Sequence, residues 1–129
     1  MHVPQGASAE KRSRLLQGWY RERLRVRALP LVMKWQHAIG VHLADWGIKR
    51  MKTKWGTCNP RPGRIWLNLE LAKKPVQCLE YLIVHELVHL VERTHNDRFI
   101  ALMDEHLPNW KARRMLLNAQ PLAHDTWDY

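Results

Sequence analysis

The stretch His85-Glu86-Leu87-Val88-His89 decides how the chain is read. It lies inside a run where Val76, Leu79, Leu82, Ile83, Leu87 and Leu90 recur at helical spacing, with Pro75 placed to open a helix at its first position. On a helix, residues four apart stand on one side, one turn up. His85 and His89 therefore present two imidazoles that can reach one zinc ion. Glu86 lies one position after the first imidazole. It is rotated off the ligand axis but borders a metal-bound water, which suits it to act as base rather than ligand. An apolar helix face rarely carries two His and a Glu unless a metal or a partner charge offsets their burial.

Working outward, His95 follows His89 by six residues. If the helix ran on, His95 would stand about 9 Å further along the axis and could not share the metal. The helix must therefore end soon after Val91 and turn back. Thr94-His95-Asn96-Asp97 offers the residues for that break, with Asn96 or Asp97 to cap a short helix running to about Glu105. Glu105 is the alternative third ligand, and the break favours His95 because it has a purpose only if His95 folds back. A structural four-ligand site closed by Cys58 or Cys78 is a further reading of the same residues. The histidine spacing matches the long metzincin signature, but Glu92 stands where that signature has Gly, so the match is one of geometry. Pro108 starts a last helix to about Asn118, and residues 119–129 form a tail with no assigned structure.

Upstream, residues 1–7 read as a lead-in and Ser8 as the N-cap of a helix to about Leu29, with Glu10 in its first turn. Leu15, Trp19, Glu22 and Val26 recur along it, and Leu16, Tyr20 and Leu24 widen the stripe. Pro30 either kinks this helix or opens a second one, Leu31 to Ala44, with Leu31, Trp35, Ala38, Ile39 and Leu43 inward. From Trp46 to Trp55 the period changes. Ile48, Met51, Thr53 and Trp55 alternate roughly with Lys49, Arg50, Lys52 and Lys54, which reads as a strand with one basic side. Residues 56–63 (GTCNPRPG) are turn material. Arg64 to Leu69 is a second strand, so residues 46–69 are expected to form an antiparallel hairpin.

Composition bounds the rest. A chain of 129 residues with 46% hydrophobic content suits one domain with a modest core. The net charge of +9 resides wholly in residues 1–55, and residues 56–129 are neutral overall. That asymmetry points to an acidic partner. No apolar run reaches the 18 or so residues of a membrane span. Met1 to Arg14 lacks the apolar core of a signal peptide, and two cysteines outside a CxxC pair do not make a disulfide framework, so a cytoplasmic setting is expected.

Taken in order, WGTC (Trp55–Cys58), RIWLN (Arg64–Asn68), Pro75, Tyr81, HELVHL (His85–Leu90), His95 and Phe99 closely resemble the YgjP-like family of zinc metallopeptidases, relatives of the WLM and SprT-like zincins. Trp19 to Leu24 resembles that family's leading helix. The resemblance covers about Leu15 to Asn118. It implies one zinc ion per chain held by His85, His89 and His95, with Glu86 as the catalytic glutamate. It also implies a small zincin-like α+β domain over residues 1–129: N-terminal helices, a short antiparallel sheet, the HExxH helix and C-terminal helices. Thr57 replaces the family's usual Ser, Thr94 its usual Asn and Ile100 a frequent Trp; none of these removes a ligand. Members commonly carry extra strands ahead of the leading helix, so the chain is expected to be either a short stand-alone version or a trimmed one.

The expected activity is zinc-dependent peptide hydrolysis with Glu86 as general base. Ile65, Trp66, Leu67 and Asn68 are expected to line the cleft and pair with an extended substrate through main-chain hydrogen bonds. A second class of function is nucleic-acid binding through Lys49, Arg50, Lys52 and Lys54, with Trp46 and Trp55 placed to stack on bases. By analogy with SprT-like relatives, the two would combine in a DNA-associated protease. A third class is a catalytically silent, zinc-stabilised interaction domain. No membrane partner is expected.

Overall fold

The computed structural model describes residues 8–119; the tail beyond Ala119 read from the sequence lies outside the described residues. The first element, α1, is one helix over Ala9–Ile39. Ser8 caps it by accepting a hydrogen bond from the Lys11 amide at 3.2 Å. The expected division at Pro30 does not occur. Proline removes the bond to the carbonyl of residue 26, but Val26 and Pro30 are both exposed, so that carbonyl lies on the solvent side. Burial of Leu24, Ala28, Val32 and Trp35 along the opposite face holds the helix continuous. It stops at Gly40, not at Ala44, because Gly40 takes the left-handed conformation (φ 79°) and its amide bonds the Gln36 carbonyl. The residues chosen as the stripe of the first half are largely outside: Leu15, Leu16, Trp19 and Val26 are exposed.

Three short strands follow: β1 (Asp45–Lys49), β2 (Gly56–Asn59) and β3 (Arg64–Asn68). They form a mixed sheet in the order β1-β3-β2. The expected hairpin of residues 46–55 with 64–69 is corrected on two points. The first strand stops at Lys49 and pairs parallel with β3, Trp46 facing Ile65 and Ile48 facing Leu67. The antiparallel partner of β3 is Gly56–Asn59, the segment read as turn, with Gly56 opposite Leu67 and Cys58 opposite Ile65. Only residues 60–63 turn. The chain leaves β1, crosses the end of β3 through residues 50–55, and enters β2.

Asn68 makes that crossing possible. Its side-chain amide donates to the Met51 carbonyl at 2.8 Å and to the Lys54 carbonyl at 2.7 Å. Its Oδ1 accepts from the Glu70 amide at 3.0 Å and starts the 3-10 turn Leu69–Lys73. Asn68 is completely buried, so truncation would strand several polar groups away from water. Asn68→Ala is expected to destabilise the fold by about 2–4 kcal/mol and lower Tm by roughly 10 °C, read by thermal denaturation.

Helix α2 (Val76–Val88) runs through the centre, touching α1, β2, β3, α3 (Asp97–His106) and α4 (Trp110–Asn118). Every residue from Tyr81 to Val88 is buried, as expected of a helix that is apolar nearly all round; Val76, read as inward, is exposed. Pro75 occupies the N-cap position, one residue earlier than expected. Glu80 ties three helices together. Its carboxylate accepts from Trp35 Nε1 at 2.8 Å and from Arg113 at 2.7 Å, with Lys34 at 3.4 Å. Burial alone would raise the Glu80 pKa, but these bonds and charges outweigh it and hold the carboxyl below its usual range.

Candidate metal centre

The His85 and Glu86 side chains are almost fully buried near the end of α2, and His89 is the residue at which the helix stops. The His89 amide still bonds the His85 carbonyl, but Leu90 and Val91 bond three residues back, to Leu87 and Val88. The turn tightens there and the chain reverses. Asn96 then caps α3 by accepting from the Phe99 amide at 3.0 Å, and its own amide donates to Thr94 Oγ1 at 3.0 Å. Phe99 is completely buried beneath the three imidazoles, its ring centre 5.2, 4.7 and 4.8 Å from those of His85, His89 and His95.

The reversal brings His95 back to the motif. His85, His89 and His95 each offer a ligand atom, and these atoms lie within 4.8 Å of one another. His89 Nε2 and His95 Nε2 are 2.8 Å apart. Nitrogens bound tetrahedrally to zinc at about 2.0–2.1 Å stand about 3.3 Å from each other, so a cluster of this size suits such an ion after small side-chain adjustments. The tautomers also suit it. His89 Nδ1–H donates to the Glu92 carbonyl at 3.1 Å, which leaves the lone pair on Nε2. His85 Nδ1 is 3.0 Å from Glu86 Oε2, so donation to that carboxylate likewise places the His85 lone pair on Nε2. Burial, and then the neighbouring His85, lower the His89 pKa; burial, His85 and His89 bring that of His95 to about 4. Both imidazoles are thus neutral near pH 7, the form that binds metals.

Glu105 does not join this cluster. It is exposed near the far end of α3, 3.6 Å from His106. Neither cysteine does. Cys78 is buried in the first turn of α2. Cys58 borders the site, and burial and then the Glu86 carboxylate push its thiol up to about 12.

A cleft of about 480 Å³ opens over the histidines. Gly56, Thr57 and Cys58 of β2 form one wall, and His85, Glu86, His89 and His95 the other. Lys54, Pro60 and Arg93 complete the rim. Gly56 makes a close approach here: a Cβ at that position would stand 3.0 Å from Glu86 Oε2 and 3.1 Å from a Leu82 methyl, so those side chains would have to give by a few tenths of an ångström. The missing side chain lets β2 approach α2 closely beside the Glu86 carboxylate. In the sequence Gly56 looks like part of a turn, because it stands in Gly- and Pro-rich surroundings, and nothing local singles out Arg93.

Two sets of expected contact residues are corrected. Ile65, Trp66, Leu67 and Asn68 form the central strand, flanked by β1 and β2, so this strand has no edge to offer a substrate. Ile65, Leu67 and Asn68 are buried, and Trp66 lies on the opposite sheet face beside Lys49, whose ammonium is 4.7 Å from the ring centre. The basic residues form no single face either. Arg50 is 4.0 Å from Glu70, Lys52 is exposed in the crossing loop, and Lys54 lines the histidine cleft. Trp55 is 3% exposed, too little to stack on a base.

A motif helix laid against a small sheet, with a third histidine returned by a tight reversal, is the architecture of a small zincin-like metallopeptidase. The sequence matches the model of the YgjP-like metallopeptidase domain over residues 1–120, and the chain belongs to that family. Among solved structures, the crystal structure of the metallopeptidase zymogen of Pyrococcus abyssi abylysin has a similar fold, with a TM-score of 0.61 and 20% identity over 67% of this chain and 87% of that one. No curated protein matches the sequence. No helix among the described residues is long and apolar enough to cross a membrane.

Proposed function

We propose that this metallopeptidase is a zinc enzyme in which His85, His89 and His95 hold the ion and Glu86 is the general base. The convergence of three imidazole ligand atoms within 4.8 Å, with Glu86 bordering the same cleft, carries the reading. Three nitrogen donors favour zinc among divalent ions. When bound, zinc supplies Lewis acidity, polarising a carbonyl oxygen and lowering the pKa of water.

Glu86 takes the proton of the attacking water on its carboxylate and returns it to the leaving amine. The His85 Nδ1 contact holds that carboxylate, and Gly56 leaves room beside it. The substrate chain lies along β2. This strand is paired only to β3 among the described residues, and its residues line the cleft. An extended peptide can add to that edge through main-chain hydrogen bonds. The role first given to Ile65–Asn68 thus moves to the neighbouring strand.

Chelation tests the metal requirement. Hydrolysis of a peptide library is expected to stop with chelator and return with one equivalent of zinc. Zinc at a hundredfold excess over its Kd should also stabilise the fold by about 2.7 kcal/mol, seen as a rise in Tm. Cleavage that persists after complete metal removal would refute the proposal. Metal content without turnover on any peptide would favour the zinc-stabilised interaction domain instead.

A further inference from the structure

The cleft has a neighbour at Pro60. A second cavity, of about 640 Å³, is lined by Asn59, Pro60, Arg61 and Arg93. Pro60 and Arg93 border both cavities, so the two adjoin at the end of β2 beside the histidines. The second cavity carries two guanidiniums, both exposed. Several cations elsewhere are matched to an acid: Arg50 and Lys73 to Glu70, Arg64 to Asp45, Arg98 to Glu92, Arg113 to Glu80. Arg61 and Arg93 have no such acid among the described residues. Arg98 takes the carboxylate of Glu92, the acid next to Arg93 in the chain.

We propose that Arg61 and Arg93 form a binding site for a carboxylate of the substrate, a few residues from the scissile bond. This rests on the peptidase reading above and adds the substrate class, peptides bearing an acidic group on the side that leaves past Pro60. A chain laid along β2 leads into the second cavity, because Asn59 ends the strand and Pro60 begins the turn there. A guanidinium offers paired N–H donors that match both oxygens of a carboxylate. Two guanidiniums with no acid of their own attract such a group with little competition from within the protein. The carboxylate is either an Asp or Glu side chain or the chain end itself; the chemistry at the two arginines is the same.

Peptide binding separates these sources. The zinc-loaded Glu86→Gln protein keeps peptides uncut, so their affinity can be read by fluorescence anisotropy. Three labelled peptides of one length are compared: a neutral amidated peptide, the same peptide with internal Glu residues, and the neutral peptide with a free carboxyl end. At least one acidic peptide is expected to bind about tenfold more tightly than the neutral amidated one. Preference for the internal Glu peptide assigns the site to side chains, and preference for the free end assigns it to the terminus. Adding Arg61→Gln and Arg93→Gln should collapse the preference. Both side chains are exposed, so the variants should keep their melting temperature.

Equal binding of all three peptides would overturn the proposal, as would a preference that survives both substitutions. Cleavage by the unsubstituted protein is measured alongside. A carboxylate preference without cleavage would sink the peptidase reading and leave the arginine site standing. Cleavage with no preference would do the reverse.

Discussion

Glu86→Gln is expected to lower peptide hydrolysis about 10³-fold while leaving stoichiometric zinc in place. Gln is close to Glu in size, so it fits the same buried position beside Gly56. The hydrogen bond with His85 Nδ1 can also survive, because the amide oxygen accepts as the carboxylate does. Only basicity is lost. An amide cannot take a proton from water at neutral pH or return it to an amine. The measurement is kcat/KM on a peptide that wild type cleaves, with metal analysis of the same sample. Cleavage at the wild-type rate would remove Glu86 from the reaction. Loss of zinc together with activity would make its role structural.

His95→Ala is the second substitution of large effect. It should reduce zinc affinity by well over the 10–100-fold that loss of an outer partner of a ligand costs, and abolish activity at stoichiometric metal. His95 is exposed, whereas the local fold rests on the Asn96 cap and on buried Phe99, neither of which is changed. The variant should therefore fold and show its defect as metal lost on dialysis. Retention of a full equivalent of zinc would take His95 out of the ligand set.

The candidate metal centre was legible because its geometry is local. Residues four apart face one way on any helix, and Tyr81 to Val88 is too apolar to be anything but central. The reversal before His95 was legible from Asn96 and from the length of helix that a shared metal forbids. Phe99, which holds the three imidazoles from below, entered only as part of a family pattern. Nothing local marks a phenylalanine as the floor of a site.

The sheet was less legible. Residues 50–55 alternate as a strand does, yet they cross the end of β3 held by Asn68. Gly56–Asn59 looks like a turn, yet it pairs with β3, and Gly56 stands at the close approach to Glu86 rather than in a bend. Pro30 looked like a boundary and is not one, because the carbonyl it releases lies on the solvent side.

By itself, then, the sequence determined the central helix, the two histidines and glutamate it displays, and the break that returns a third histidine. Each follows from contacts within a few turns of one chain segment. Only the tertiary structure decided that β1 runs parallel to β3, that β3 is enclosed while β2 keeps an edge beside the histidines, and that Arg61 and Arg93 line the cavity adjoining their cleft. Strand partners and cleft walls join segments distant along the chain. Their choice depends on which buried surfaces meet, a quantity that no local period records.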